Sequence, residues 1–174
     1  AFIPARCNSK SIALKNIKSF CGKPLIYWSL EALEKSDIID EIHVATDCND
    51  IASIVNNFNF SKVSVFKRSK LNSSDTATTE SVILEFLNLN NLNEDDIFLL
   101  VQATSPFTQS YDFNRAIKQY INEKADSLLT CTRTKRFFWN DTAAPLNYDF
   151  NNRPRRQDFG GVLMENGAFY INTI

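Results

Sequence analysis

Three cations stand close together at the front of this chain. Arg6, Lys10 and Lys15 are separated by small polar residues in "PARCNSKSIALKN", residues 4–16. Lysines and arginines in a loop that follows a first strand can hold a polyphosphate, with backbone N–H groups and the side chains of Asn8, Ser9 and Asn16 adding donors. The pattern is not a Walker loop, because GxxxxGK[ST] is absent. Nor is it a dinucleotide fingerprint, because no glycine occurs between residues 1 and 21. From charge alone, a solvated basic loop is the plain alternative.

Three further clusters carry reactive or ligand-binding types. Arg68 is followed by Ser74, Asp75, Thr76 and Thr79, in which Ser74 or Asp75 can cap the next helix with Thr79 and Glu80 near its first turn. Gln102 to Pro106 closes an apolar run, where the glutamine reads as a ligand contact or as a satisfied structural amide. Arg153, Arg155 and Arg156 sit in "RPRRQ"; a planar guanidinium can grip a carboxylate through two parallel bonds. A basic surface loop or a dimer contact is the alternative for Arg153 and Arg156. His43, the one histidine, falls in mid-strand, so no Ser/His nucleophile pair is read and the residue reads as structural.

The elements that position these clusters show in the apolar pattern. Phe2 to Ala5 reads as a first strand. Pro24 to Lys35 reads as a helix with proline in its first turn and Ile26, Leu30 and Leu33 on one face. Residues 41–47 form a strand, "NDIASIVNNF" a short helix with Asn49 or Asp50 near its cap, and residues 62–68 an alternating strand. Then follow the helix "TESVILEFLNL", the buried strand "DIFLLVQAT", the helix "YDFNRAIKQYIN" and the strand "DSLLTCTRT". Residues 135–165 have no steady period, and "GAFYINTI" closes as a strand. Strands alternating with helices predict a mostly parallel sheet with right-handed crossovers. Ligands of such sheets bind beyond the carboxyl ends of the strands. That rule puts Arg6 to Asn16, Asp47, Arg68 and Gln102 to Ser105 on one rim.

Composition narrows the class. The 174 residues fit one domain, and 44% hydrophobic content with 14 Phe supports a buried core. A net charge of -1 is not the basic surplus of a nucleic-acid binder. No apolar run approaches the ~20 residues of a membrane span, and no secretion leader is read, so a cytoplasmic protein is expected. Cys7, Cys21, Cys48 and Cys131 are scattered without a CxxC, which favours reduced thiols over two disulfides and gives no zinc pattern. Both ends lie inside apolar segments, so the chain is expected to lack residues at the front and a larger part at the C-terminus.

Taken in order, "IPARCNSKSIALKNIKSFCGKPLIYWSLEAL", "RSKLNSSDTATTESV", "LLVQATSP" and "RPRRQ" followed by "ENGAFYIN" resemble the acylneuraminate cytidylyltransferase family, which activates sialic acid and related nine-carbon sugar acids. The resemblance covers nearly the whole chain. It implies a three-layer α/β fold with a mostly parallel, Rossmann-like sheet of the nucleotide-diphospho-sugar transferase type, residues 1–174 being one cytidylyltransferase domain. It also implies a reaction in which a sugar-acid hydroxyl attacks the α-phosphate of CTP and pyrophosphate leaves, with Mg²⁺ as cofactor. By similarity, Arg6, Lys10 and Lys15 hold the triphosphate, Lys15 being nearest the reacting phosphorus and Arg6 its catalytic companion. Asn8, Ser9 and Asn16 donate to phosphate or ribose, and Arg68, Asp75 and Thr79 recognise cytidine. Gln102, Arg155, Asn166 and Tyr170 contact the sugar acid.

The family's metal-binding aspartates are expected beyond residue 174, so the metal ligands are unassigned. In related enzymes an excursion like 135–165 packs on a partner subunit. A homodimer is therefore expected, with Phe137, Phe138 and Trp139 as contacts or as core filling. Ser11 stands where many members carry glycine, and Ala103 where they carry proline, which bears on loop geometry. The competing readings are a non-catalytic nucleotide-binding domain, a transferase using another base, and a cytidylyltransferase for legionaminate or pseudaminate. "SSDTATTE" leans toward the sialate-like group.

Overall fold

The computed structural model describes residues 1–7, 12–74 and 77–174. Among these lie the strands β1 (Phe2–Pro4), β2 (Ser19–Phe20), β3 (Lys23–Pro24), β4 (Ile42–Thr46), β5 (Val63–Lys67), β6 (Ile97–Val101), β7 (Ser127–Thr134) and β8 (Val162–Thr173). The helices are α1 (Leu25–Glu34), α2 (Asn49–Asn56), α3 (Thr79–Leu89) and α4 (Ser110–Glu123), with 3-10 turns at Lys15–Ile17 and Leu71–Ser73. No helix among the described residues is long and apolar enough to cross a membrane.

The sheet order is β5-β4-β1-β6-β8-β7, and β2 pairs with β3 as a separate small hairpin. β1 runs parallel to β4 and to β6, and β4 runs parallel to β5. The chain walks outward from β1 to β5, then returns across β1 to β6. Strand order therefore reverses between β1 and β6, the place where such sheets open a crevice at their carboxyl ends. The closing strand β8 runs antiparallel to β6, from Ile97↔Thr173 to Val101↔Phe169. It begins at Val162, well ahead of "GAFYINTI". Its first residues are exposed on both faces, so no apolar alternation marks them.

Period-two alternation on the strands feeds two cores. Ile3, Val44, Leu99 and Val101 pack with Leu30 of α1, Ile51 of α2 and Phe113 of α4. Their neighbours Phe2, Ala45, Phe98 and Leu100 pack with Val82 and Phe86 of α3. Helices thus cover both faces, which is the expected three-layer arrangement. Phe2 is fully buried, with its ring 5.0 Å from that of Phe86 and 5.6 Å from that of Phe98. Truncating such a phenylalanine to alanine costs about 3–5 kcal/mol.

The helix starts differ in detail from the sequence reading. Pro24 occupies the cap of α1, its fixed φ suiting entry into the first turn. At α2 the cap is Cys48, with Asn49 and Asp50 inside the helix. At α3 neither Ser74 nor Asp75 is the cap: Thr78 is, its hydroxyl accepting the Ser81 N–H at 3.2 Å. A capping side chain must reach the N2 or N3 amide, and only the residue directly before the helix does so here. Asp75 itself lies outside the described residues.

The chain divides into two compact units, Ala1–Leu128 with Ala168–Ile174, and Leu129–Gly167. The second unit gathers around aromatic rings. Phe137 lies 4.4 Å from Tyr148 and 5.0 Å from Phe159, and the Arg153 guanidinium sits 4.6 Å over the Phe137 ring. Arg153 is thereby a cation–π partner within its own unit. Phe137 is half-buried, whereas Phe138 and Trp139 are exposed.

Candidate functional site

The carboxyl ends of the parallel strands carry the polar residues into a common cleft. Beyond β1, the Ala5 N–H donates to the Ala45 carbonyl at 2.8 Å, and the Cys7 N–H donates to Asp47 Oδ1 at 3.0 Å. The end of β4 therefore fixes where the front loop leaves the sheet. The loop returns through Leu14, whose φ of 50° is left-handed, and the Ile17 N–H closes onto the Leu14 carbonyl at 3.0 Å. Leu14 and Ile17 pack on the core, so Lys15 and the buried Asn16 are carried on an anchored turn.

Arg68 follows β5 and bonds through its N–H to the Thr46 carbonyl at 3.1 Å. Its side chain is only 7% exposed. The Nη2 donates to the Asn72 carbonyl, while the buried Nε has no hydrogen-bond partner among the described residues. Burial lowers the guanidinium pKa, the Asp47 carboxylate opposes that shift, and nearby Arg6 adds to it. After β6 the Gln102 N–H donates to the Ala168 carbonyl at 3.0 Å, and the Ser105 N–H turns back to the Gln102 carbonyl at 3.1 Å.

Together these segments line a cleft of about 310 Å³, walled by Arg6, Lys15, Asn16, Arg68, Thr79 and Gln102 with Pro4, Ala77, Ala103 and Thr104. That is the lower end of the range for small-ligand sites. Among the described residues the lining holds three cations and two amides and no carboxylate, so it suits an anionic ligand with a polar head. A larger cavity, about 510 Å³, opens at the amino ends of the strands beside Glu41, Asp95 and Asp96. Among the described residues its lining has no lysine or arginine.

Six of the residues singled out in the sequence are thus brought together: Arg6, Lys15, Asn16, Arg68, Thr79 and Gln102. Asn8, Ser9, Lys10, Ser11 and Asp75 lie outside the described residues. Tyr170 is half-buried on β8, in register with Leu100. Arg155 and Asn166 belong to the second unit. There the Arg155 Nε donates to Asp158 Oδ2 at 2.8 Å, and Asn166 bonds Thr130 at 2.6 Å and Thr132 at 3.2 Å. Thr104, from the Gln102 to Ser105 stretch read onto the rim, also lines the cleft. Ala77 was not singled out; it adjoins residues that were, and only the turn geometry selects it.

Two pairings correct the sequence reading or add to it. Ser64 Oγ lies 2.8 Å from His43 Nδ1, and His43 Nε2 lies 3.0 Å from Glu41 Oε2. A serine does pair with the lone histidine, because the β4–β5 register sets His43 opposite Ser64. Burial pushes the imidazole pKa down, against the Glu41 bond that raises it, and the ring rests 4.7 Å from Phe86. The position, near the start of β4 and on the α3 side, remains structural. Cys7 and Cys48 also meet, with Sγ atoms 2.7 Å apart. Among the described residues no three His, Cys, Asp or Glu side chains gather to hold a metal ion.

Comparison with known proteins gives the family and the fold. Residues 1–156 match the family described as Cytidylyltransferase. The chain is 38% identical to an N-acylneuraminate cytidylyltransferase of Oncorhynchus mykiss over 99% of its own length and 40% of that protein. It is 30% identical to a pseudaminic acid cytidylyltransferase of Campylobacter jejuni, covering 98% of this chain and 76% of the relative. The chain belongs to the cytidylyltransferase family. It spans about two fifths of the length of the fish relatives it matches. Its fold is that of a CMP:2-keto-3-deoxy-manno-octonic acid synthetase complexed with CTP, with TM-score 0.71, 19% identity, and coverage of 99% of this chain and 72% of that one. A 2-C-methyl-D-erythritol 4-phosphate cytidylyltransferase of Francisella tularensis also shares the fold, with TM-score 0.67 and 16% identity over 97% of this chain and 70% of the other.

Proposed function

We propose that this chain works in the transfer of CMP from CTP to a nonulosonic, sialic-acid-like sugar acid, releasing pyrophosphate. The observation that carries the reading is the cleft itself: cations and amides from four separate segments converge at the sheet's carboxyl rim. The relatives' names, which include both N-acylneuraminate and pseudaminic acid cytidylyltransferases, support the nucleotide and the class of acceptor.

In this reading the sugar hydroxyl oxygen attacks the α-phosphorus. The bond from that phosphorus to the oxygen bridging the β-phosphate breaks, and pyrophosphate carries the electron pair away. The protein's task is to neutralise charge and to hold the reactants in line. Arg6, Lys10 and Lys15 clamp the triphosphate, Lys15 beside the α-phosphate where charge develops. Asn8, Ser9 and Asn16 donate to phosphate and ribose oxygens. Arg68, with Asp75 and Thr79, reads the cytosine edge. By the resemblance, Gln102, Asn166 and Tyr170 contact the sugar acid, and Arg155 meets its carboxylate. Mg²⁺ belongs to the proposal through the resemblance. The described residues do not form a metal cage by themselves, and no step here is routed through the ion. A homodimer in the cytoplasm completes the reading.

The test is pyrophosphate release by the full-length protein with CTP, Mg²⁺ and a panel of sialate, legionaminate and pseudaminate acceptors, with UTP and ATP as competitors. We expect release with CTP and one of these acids, abolished by chelation. CTP binding without turnover on any acid would replace the enzyme with a nucleotide-binding module.

A further inference from the structure

The Arg68 guanidinium is buried at the cleft, and among the described residues its Nε has no partner and no acid grips it directly. What holds it is a carbonyl, that of Asn72. The Asn72 side chain is in turn held by α3. Glu85 reaches back from the second turn of the helix to the loop after β5, where its Oε1 accepts the Ser69 N–H at 2.9 Å and its Oε2 accepts the Asn72 Nδ2 at 2.8 Å. The same Asn72 amide reaches the Ser81 carbonyl at 3.3 Å, and Ser73 Oγ closes onto the Ser69 carbonyl at 2.6 Å. Among the described residues Glu85 is the one charged member of this stitch. Burial pushes its carboxyl pKa up, but donation from Asn72 and Ser69 and the Arg68 charge outweigh that and hold it below the ordinary carboxylate value.

We propose that Glu85 is a positioning residue for Arg68: by clamping Ser69 and Asn72 it sets the carbonyl that aims the guanidinium into the cleft, and through it the discrimination between nucleobases. The proposal rests on the assignment of Arg68 to the base in the functional reading above. Its physical basis is that a guanidinium directs its remaining donors only as well as its anchored end is fixed. A base whose edge donors and acceptors are mismatched then loses a bond in a buried site.

The experiment is a double-mutant cycle on nucleotide affinity with Glu85→Gln and Arg68→Met, read as calorimetric Kd for CTP and for UTP, with thermal unfolding followed in parallel. The glutamine keeps one acceptor for Ser69 but turns an NH₂ toward the Asn72 amide. Glu85→Gln is expected to weaken CTP about tenfold and to narrow the CTP/UTP ratio by a similar factor, as loss of a buried polar contact does. In the Arg68→Met background the same change is expected to cost almost nothing further, because the two residues act in series. Glu85→Asp, which keeps both acceptors at shorter reach, is expected to recover part of the ratio. Additive effects, or a Glu85→Gln protein that melts earlier but keeps wild-type affinity and selectivity, overturn the proposal. If Arg68→Met alone leaves CTP binding unchanged, it is the assignment of Arg68 to the nucleotide that fails.

Discussion

Asp47 Oδ1 accepts the backbone N–H of Cys7 at 3.0 Å, so the end of β4 pins the start of the loop that follows β1. The carboxylate also lies where it moderates the charge of Arg68. Hydrogen bonds to charged groups contribute about 1.5–3 kcal/mol. Asp47→Ala is expected to weaken CTP binding about tenfold, consistent with losing the lower part of that range. Asp47→Asn keeps an acceptor without the charge and should fall between the two. Wild-type affinity in Asp47→Ala, measured by calorimetry, would mean that the loop is held elsewhere.

Lys15 rides on the turn that Leu14 sets with its left-handed backbone and that Ile17 closes. A cation beside the α-phosphate acts most where charge develops during transfer. Lys15→Met, similar in length and uncharged, should raise the Kd for CTP about tenfold and lower kcat by about 100-fold or more, in the range of other electrostatic contacts of this kind. Equal losses in Kd and kcat/KM, with kcat intact, would assign Lys15 to ground-state binding alone. No loss in either would remove it from the triphosphate.

Proximity to Cys48 changes the chemistry of Cys7. Contact with the Cys48 thiol, and then burial, push the Cys7 pKa from 9.0 up to about 11. The thiolate is the nucleophile, so its fraction at neutral pH is small. Exposed Cys21 and Cys131 should therefore be alkylated first by iodoacetamide. Labelling of Cys7 should lag and climb about tenfold per pH unit through the alkaline range below 11. Peptide mass spectrometry over a pH series checks this; equal rates at Cys7 and Cys21 at neutral pH would contradict it.

The residues that could be read in advance share a physical reason. Thr79–Leu89 was legible to the residue because apolar period and helix length agree there. Arg6, Arg68 and Gln102 were legible as one rim because parallel strands send all their carboxyl ends the same way. Pairings set by strand register were not legible. Ser64 meets His43, and Cys48 approaches Cys7, only because β4 pairs with β5 and β1 as it does, and a slip of one residue would undo both. The hairpin of β2 and β3 has two residues per strand, too few for any period. Glu85 looked like an ordinary polar residue beside buried Phe86, since its partners Ser69 and Asn72 come from a loop that no local pattern joins to α3.

Gly161 takes a φ of +76°, and a Cβ there would lie 2.4 Å from the Thr134 carbonyl oxygen and 3.1 Å from its carbon. Backbone atoms cannot swing aside as a side chain would. The left-handed conformation alone costs a non-glycine residue about 1–2 kcal/mol. Gly161→Ala is therefore expected to destabilise the Leu129–Gly167 unit by more than that figure, with early protease cleavage inside it. Gly160→Ala, where a Cβ meets nothing within 4 Å, is the matched control and should be nearly silent. Equal behaviour of the two variants would show that the segment relaxes freely.

Glu34 ties the end of α1 to the entry of β5. Its Oε1 accepts the Ser61 N–H at 2.7 Å and the Ser61 hydroxyl at 2.6 Å, and its Oε2 accepts the Lys62 N–H at 3.1 Å. Burial raises the carboxyl pKa, but these donors and the Lys62 charge outweigh it, and the net shift is downward from 4.5. A depressed carboxylate adds stability above the unfolded-state value and loses it as pH falls through the folded-state value. The contribution should therefore be complete at neutral pH and fade only below 4.5. Glu34→Gln leaves an NH₂ facing the Lys62 N–H and should cost about 1 kcal/mol at pH 7, the lower end for a charged hydrogen bond that is partly exposed. Denaturant melts from pH 7 down to the acid limb should show the gap between wild type and variant closing as the wild-type carboxylate protonates. A gap that is constant with pH would mean that shape, and not charge, makes Glu34 matter.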